Sequence, residues 1–391
     1  MSEGTAPGRP LREPDLPRTA KVKTRALRTG WTTGTCAAAA AKAATTALVT
    51  GEPQRAVEIA LPSGRRVSFP VDRCVLLPAV EDAGADTEDG AEAVVVKDAG
   101  DDPDVTHGAH LTATVRWLAQ PGLTIDGGEG VGVVTKPGLG LTVGGPAINA
   151  TPRAMITAGV REAIDPAVRG LQVVVSVPEG ERMARKTTNA RLGILGGISI
   201  LGTTGVVRPF STASWRASVV QAVQVMGAQG ERTLVLCTGG RTERGEMTLL
   251  PELPEVCFVE VGDFTGAALR AAVEHGVSRV VFVGMVGKLT KLASGVLMTH
   301  YTRSKVDLGL LAEITTAVGG SAALAVEVAA ANTARHAAEL WGGAGLSRPA
   351  GDELCRRVRE VLVRFSGGVL DADVAMVDFT GDTVVASSGR W

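Results

Sequence analysis

The sequence predicts an α/β protein: an N-terminal α+β domain over residues 27–202, then a Rossmann-like, doubly wound, mostly parallel α/β domain over residues 203–391. Three observations carry that reading. The chain has 391 residues, 45% of them apolar, enough for about two domains with cores of their own. In the first half, short apolar or alternating runs are joined by hairpin-type turns, which favours antiparallel pairing. From about Thr203 onward strands and helices take turns, the pattern of a parallel sheet covered by helices.

Residues 1–26 hold six Arg or Lys and four Pro without an apolar run, and read as a flexible tail rather than a secretory leader. Order is expected from Leu27. Thr33 or Thr35 can cap a helix that runs through five consecutive alanines, 37–41, and stops at Gly51. Runs 56–60 and 65–71 form a hairpin around Pro62-Ser63-Gly64. Runs 93–97 and 111–118 are strands, the second by its alternation. Thr151-Pro152 opens a helix, since Thr caps and Pro suits the first turn; 171–177 is a buried-type strand. The second half reads as helix 211–228, strands 233–237 and 256–261, helix 264–275 and strand 279–283. Helices 289–299, 306–317, 321–331, 333–340 and 352–365 follow, and strand 374–377 closes the set.

Composition excludes several classes. A net charge of −1 gives no overall pull toward nucleic acid or anionic membrane. Five scattered cysteines, odd in number and without a C-x-x-C pair, argue against a disulfide framework and a zinc site and for a reducing compartment, so a cytoplasmic location is expected. The longest uncharged glycine-rich stretch, 192–207, is short for a membrane span. There is no P-loop, nucleophile elbow, H-E-x-x-H or kinase signature. Forty-nine glycines against 13 aromatic residues predict many tight backbone turns and few bulky rings.

Five segments can carry chemistry. Arg28-Thr29-Gly30-Trp31-Thr32-Thr33-Gly34-Thr35-Cys36 leads into a helix N-terminus, which is either an anion site or an ordinary N-cap. The run 96–107 places four aspartates (Asp98, Asp101, Asp102, Asp104) and His107 after a strand. They hold a cation, form a turn, or accept a hydrogen bond or proton from a substrate. The glycines of 127–153 make tight turns or approach a ligand, and the G-x-x-G-G run in 192–205 is a weak dinucleotide signature or a crossover. In the second half, Thr238-Gly239-Gly240 follows one strand and Asp263 the next, a partial adenosine-binding pattern. Gly284 and Gly287 would line the same edge, with Lys288, Lys291, His300, Arg303 and Lys305 beyond.

The run Leu27-Arg28-Thr29-Gly30-Trp31-Thr32-Thr33-Gly34-Thr35-Cys36-Ala37-Ala38-Ala39-Ala40 resembles the N-terminal signature of the cobalt-precorrin-5B (C1)-methyltransferases of anaerobic cobalamin (vitamin B12) synthesis. Blocks 96–108, 127–153, 193–211 and 288–314 resemble further blocks of that family in the same order, so the resemblance covers about residues 27–380. Asn189-Ala190-Arg191 departs from the family's Asn-Pro-Arg. The resemblance implies S-adenosylmethionine as methyl donor and a cobalt tetrapyrrole as acceptor, with cobalt only as part of the substrate, cobalt-precorrin-6A as product and no resident metal. On that reading Arg28, Lys136, Arg153, Arg208, Lys288 and Arg303 clamp the acceptor's carboxylates. Thr32, Thr33, Thr35 and Asp98 touch the macrocycle, and Asp101 or His300 takes the departing proton. The donor lies at Thr238, Gly239, Gly240, Asp263, Gly284 and Gly287. Two rival classes stay open: a nucleotide-dependent kinase or ligase, and a non-catalytic corrinoid-binding protein. Homo-oligomerisation is left open.

Overall fold

The structure, a computed structural model, describes residues 27–79, 89–299, 305–381 and 383–389, with Leu11 in addition. The expected tail, 1–26, lies outside these residues except for Leu11. Contacts divide the chain into two compact units, one within residues 21–211 and one within 212–391, and each is described by itself.

The first unit is built on one helix. After β1 (Gly30–Trp31), α1 (Thr33–Thr50) starts one residue earlier than a Thr33 cap would allow: Thr32 is the N-cap, and its hydroxyl accepts from Thr35 N at 3.2 Å. Gly51 ends it in the left-handed conformation, φ +75°. Ala37 through Ala41 are fully buried, as are Ala43 and Ala44. A helix apolar on every side belongs in a core, and alanine supplies the highest helix propensity with the least bulk.

That slimness lets α1 sit against a sheet and a second helix. β2 (Ala56–Ala60) and β3 (Arg66–Pro70) pair as the expected hairpin. The main sheet takes β4 (Arg73–Leu77), β5 (Gly90–Val96), β6 (His110–Leu118), β7 (Leu123–Gly127) and, after β8 (Val133–Val134) and α2 (Ala150–Arg161), β9 (Gly170–Ser176). Its order is β4-β5-β6-β9-β7, antiparallel except for the β7–β9 pair. Leu111, Ala113, Val115 and Trp117 of β6 alternate into the core, as the sequence pattern requires. The short α3 (Gly180–Ala184) precedes β10 (Ile194–Leu195), which pairs with β8, and β11 (Val206–Val207), which pairs with β1.

In the second unit α4 (Thr212–Ala228) leads to β12 (Thr233–Cys237). Helix α5 (Gly240–Leu249), β13 (Phe258–Glu260), α6 (Thr265–Glu274), β14 (Arg279–Gly284) and α7 (Val286–Ala293) alternate. Helices α8 (Leu308–Ala317), α9 (Ala322–Ala329), α10 (Ala334–Gly343) and α11 (Ser347–Phe365) precede β15 (Asp371–Val377) and β16 (Val384–Ser387). The sheet order is β13-β12-β14-β15-β16. The first four strands are parallel and β16 is antiparallel at the edge. The chain is therefore mixed α/β, with a largely antiparallel sheet in the first unit and a largely parallel one in the second.

Candidate functional sites

The structure gathers many of the sequence-predicted residues into two groups, one in each unit. In the first unit, three segments lock together. Trp31 N donates to Asp98 O at 2.7 Å, Arg28 N donates to Asp101 Oδ2 at 2.6 Å, and Asp101 N returns to Arg28 O at 2.9 Å. The Arg28 guanidinium pairs with Asp98 and holds that carboxyl below its usual range, aided by Gly100 N. The approach is close because two residues lack a Cβ. One added at Gly30 would lie 2.0 Å from Ala99 C, and one at Gly100, where φ is +70°, 2.1 Å from Arg28 O.

The third segment, 199–207, closes over the start of α1. Thr33 Oγ1 accepts from Leu201 N at 2.9 Å and reaches the carbonyls of Ser199 and Leu201, while Thr35 Oγ1 donates to Gly205 O at 2.7 Å. Thr32, Thr33 and Thr35 are all buried. The capping reading of this segment therefore accounts for Thr32 and Thr35, and Thr33 ties the helix to a distant loop. Beside them opens a cleft of about 260 Å³, lined by Thr32, Thr33, Lys97, Asp104, Val105, Thr106, Thr187, Asn189, Ile198, Ser199, Leu201 and Val207. Lys97 Nζ donates to Asp104 Oδ2 at 2.6 Å, and Thr106 N and Oγ1 donate to Asp104 Oδ1 at 2.7 and 2.6 Å. Burial alone would raise the Asp104 carboxyl, but the Lys97 charge and these donors outweigh it and hold it low.

Three predicted cations of this unit sit apart from one another in role. Arg153 donates to the carbonyls of Ile148 and Ile125 at 3.2 and 2.9 Å, so it braces the backbone around α2. Lys136 is exposed, its stem lying where a Cβ on Gly193 would fall. Arg208 is exposed just after β11.

In the second unit Thr238, Gly239, Gly240, Asp263, Gly284 and Lys288 meet at the carboxyl ends of β12, β13 and β14. Lys288 Nζ donates to Gly262 O at 2.8 Å and Thr238 O at 3.2 Å and lies 3.7 Å from Asp263 Oδ1. Burial pushes the Lys288 ammonium below its ordinary range, against the pull of Asp263. Asp263 Oδ1 also accepts from Thr299 Oγ1, and Thr299 O accepts from Lys291 Nζ. Nothing lies within 4 Å of a Cβ built on Gly239 or Gly240, so this turn presents open backbone. A Cβ on Gly287 would face Ala334 of α10 at an ordinary 3.9 Å. His300 and Arg303 lie outside the described residues.

Two buried ionisable groups were missed by sequence reasoning. One is Lys97. The other is Glu246 of α5, which is 1% exposed. Its Oε2 accepts from Cys237 Sγ, and its Oε1 has no partner among the described residues. Burial pushes its carboxyl up to about 9, so it is neutral at pH 7. Among the described residues no group of three or more His, Cys, Asp or Glu is arranged to hold a metal ion, and no helix is long and apolar enough to cross a membrane.

Comparison with known proteins gives consistent matches. The CbiD family model matches residues 20–209, and the model of the CbiD C-terminal domain matches 298–388. The cobalt-precorrin-5B C(1)-methyltransferase of Salinispora arenicola is 72% identical over 98% of both chains. That of Rubrobacter xylanophilus is 64% identical over 97% of both. A crystal structure of the cobalamin biosynthesis protein CbiD from Archaeoglobus fulgidus is 27% identical, covering 73% of this chain and 91% of that one, with a TM-score of 0.35. With a family model on each half and such identity along nearly the whole length, the chain belongs to the CbiD family.

Proposed function

We propose that the protein transfers a methyl group from S-adenosylmethionine to C1 of cobalt-precorrin-5B, giving cobalt-precorrin-6A, in the cytoplasm. The observation that carries this reading is the 72% identity, over 98% of both chains, to a relative named as the cobalt-precorrin-5B C(1)-methyltransferase.

The second unit is read as a Rossmann-like, doubly wound domain that holds the donor. Its sheet runs β13-β12-β14, so the chain leaves β12 first to one side and then to the other. In such sheets ligands bind outside the carboxyl ends where the order reverses. Thr238, Gly239 and Gly240 follow β12 there, and Gly284 ends β14. The donor's adenosine fits the open backbone at Gly239 and Gly240, with the Asp263 carboxylate for ribose hydroxyls. Lys288 fixes the ends of β12 and β13 through the Thr238 and Gly262 carbonyls.

The acceptor is assigned to the first unit, against the 32–35 turn and the 98–104 loop. Arg28, Lys136 and Arg208 are the guanidinium and ammonium groups offered to its carboxylates. The sulfonium arrives already activated. The sulfur–methyl bond breaks as the C1–methyl bond forms, and catalysis rests on holding the two reacting atoms in line. A ring proton then leaves to a base, for which Asp101 is the candidate among the described residues.

Anaerobic incubation with cobalt-precorrin-5B and methyl-labelled donor tests the proposal. Label in the macrocycle is expected, and none, with an active upstream preparation as control, overturns it. Thermal stabilisation by S-adenosylhomocysteine and not by ATP separates it from a kinase or ligase. Tetrapyrrole binding with no response to the donor marks a carrier.

A further inference from the structure

Lys97 is 1% exposed, yet among the described residues its ammonium has one acceptor, Asp104 Oδ2 at 2.6 Å. An ammonium carries three N–H donors, and a buried charge is tolerated only when paired and fully hydrogen-bonded. Asp104 cannot supply the rest, because Thr106 N and Oγ1 already engage its other oxygen. Lys97 and Asp104 line the 260 Å³ cleft, whose walls are aliphatic at Val105 and Ile198 and hydroxylated at Thr33. That volume is below the ~300–1,000 Å³ of pockets that enclose a whole drug-sized ligand, so the cleft admits one arm of a large molecule. What Lys97 lacks is an acceptor, and a carboxylate oxygen is the strong one for an ammonium.

We propose that this cleft is a carboxylate subsite, in which Lys97 Nζ receives the carboxylate at the end of a short aliphatic arm seated between Val105 and Ile198. The proposal rests on the reading of cobalt-precorrin-5B as acceptor, whose acetate and propionate arms are the first source of such a group. The amino-acid end of the donor carries the same chemistry and is the second.

The test measures binding at low ionic strength to two variants. Lys97→Met combined with Asp104→Asn removes both charges together, so neither is stranded. Val105→Trp fills the cleft and leaves the ion pair alone, and decides the matter if the double variant does not fold. The probes are uroporphyrin, S-adenosylhomocysteine and methylthioadenosine, which lacks the amino-acid end. A fall of about 10- to 150-fold in uroporphyrin affinity, the range expected for a lost hydrogen bond to a charged group, assigns the subsite to the macrocycle's arms. The same fall for S-adenosylhomocysteine but not methylthioadenosine assigns it to the donor. Unchanged affinity for both in a folded variant, or a wild type that binds neither, overturns the proposal and leaves a structural ion pair with buried water. Methyl transfer keeps the two readings apart. Transfer by both variants with unaltered KM overturns only the subsite, whereas no transfer by the wild type overturns the assigned reaction.

Discussion

Lys288 Nζ donates to the carbonyl oxygen of Thr238 at 3.2 Å, fastening the first turn of α7 to the end of a strand 50 residues earlier. The same ammonium takes the Gly262 carbonyl at 2.8 Å, so one side chain gathers the exits of two neighbouring parallel strands. Lys288, expected from the sequence to meet a substrate, is engaged here by two backbone carbonyls, of Thr238 and Gly262. Lys288→Met is expected to cost about 1–3 kcal/mol by leaving two carbonyls short of a donor. Denaturant unfolding measures that cost, and an unchanged midpoint would show that water replaces the ammonium without penalty.

Gly239→Val separates folding from donor binding. The Gly239 backbone is extended, φ 171°, and its Cβ position is empty, so valine is accommodated without strain. The variant should melt within a few degrees of wild type and bind S-adenosylhomocysteine at least about tenfold more weakly. Unchanged affinity by calorimetry would remove the donor from this turn.

Asp101→Asn distinguishes a base from a brace. The carboxylate accepts from Arg28 N at 2.6 Å, and an asparagine oxygen can still accept that bond while no longer taking a proton. The expected result is a folded enzyme with KM retained and kcat lowered by about 10²–10⁴. Wild-type kcat would leave Asp101 as a loop clasp alone.

Glu246 gives the second unit a pH dependence of definite sign. Burial pushes its carboxyl from the ordinary 4.5 up to about 9 in the folded protein. The unfolded chain therefore releases this proton first, and stability falls as pH rises between those values, by up to ~1.4 kcal/mol per unit from this group. Glu246→Gln should flatten that slope and be the more stable protein at pH 8. Urea midpoints measured from pH 5 to 8 check it, and parallel curves for the two proteins would contradict it.

Gly30→Ala tests the lock between the 28–31 and 98–101 segments. A methyl group there would overlap the Ala99 backbone, which cannot swing aside as a side chain does. A loss of about 3 kcal/mol is expected, at the upper end for overpacking. Gly196→Ala is the control: φ is +79° but the Cβ position is empty, so only the ~1–2 kcal/mol of left-handed strain applies.

Much of this architecture can be read from local pattern. Strand β12 has the predicted bounds, 233–237, because the short apolar run 234–237, buried throughout, ends at a glycine turn. Helix α5 escaped notice since Gly240-Arg241-Thr242-Glu243-Arg244-Gly245 has two glycines and no apolar stripe. Its start is closed locally by Thr242 Oγ1, hydrogen-bonded at both Gly239 N and Gly239 O, and Thr242 and Glu246 are buried against the rest of the unit. Strands β4 and β16 are edge strands, and β4 shows no clean alternation of exposure. The threonines before α1 announced a cap, though the residue that caps is Thr32. Lys97 carried no signal: a lysine beside a run of aspartates reads as a solvated turn, and only the fold buries it.

The tie between Thr33 and the carbonyls of Ser199 and Leu201 also spans time. The hydroxyl and its partners are 166 and 168 residues apart, and β1 pairs with β11, at residues 206–207. On the ribosome, the opening turn of α1 must wait for the last residues of its unit to emerge. Contacts of such sequence separation are slow to form. A nascent chain halted before residue 199 would carry a buried-type alanine helix whose first turn lacks its hydrogen bonds to 199–205, which makes this unit one that closes last where it began.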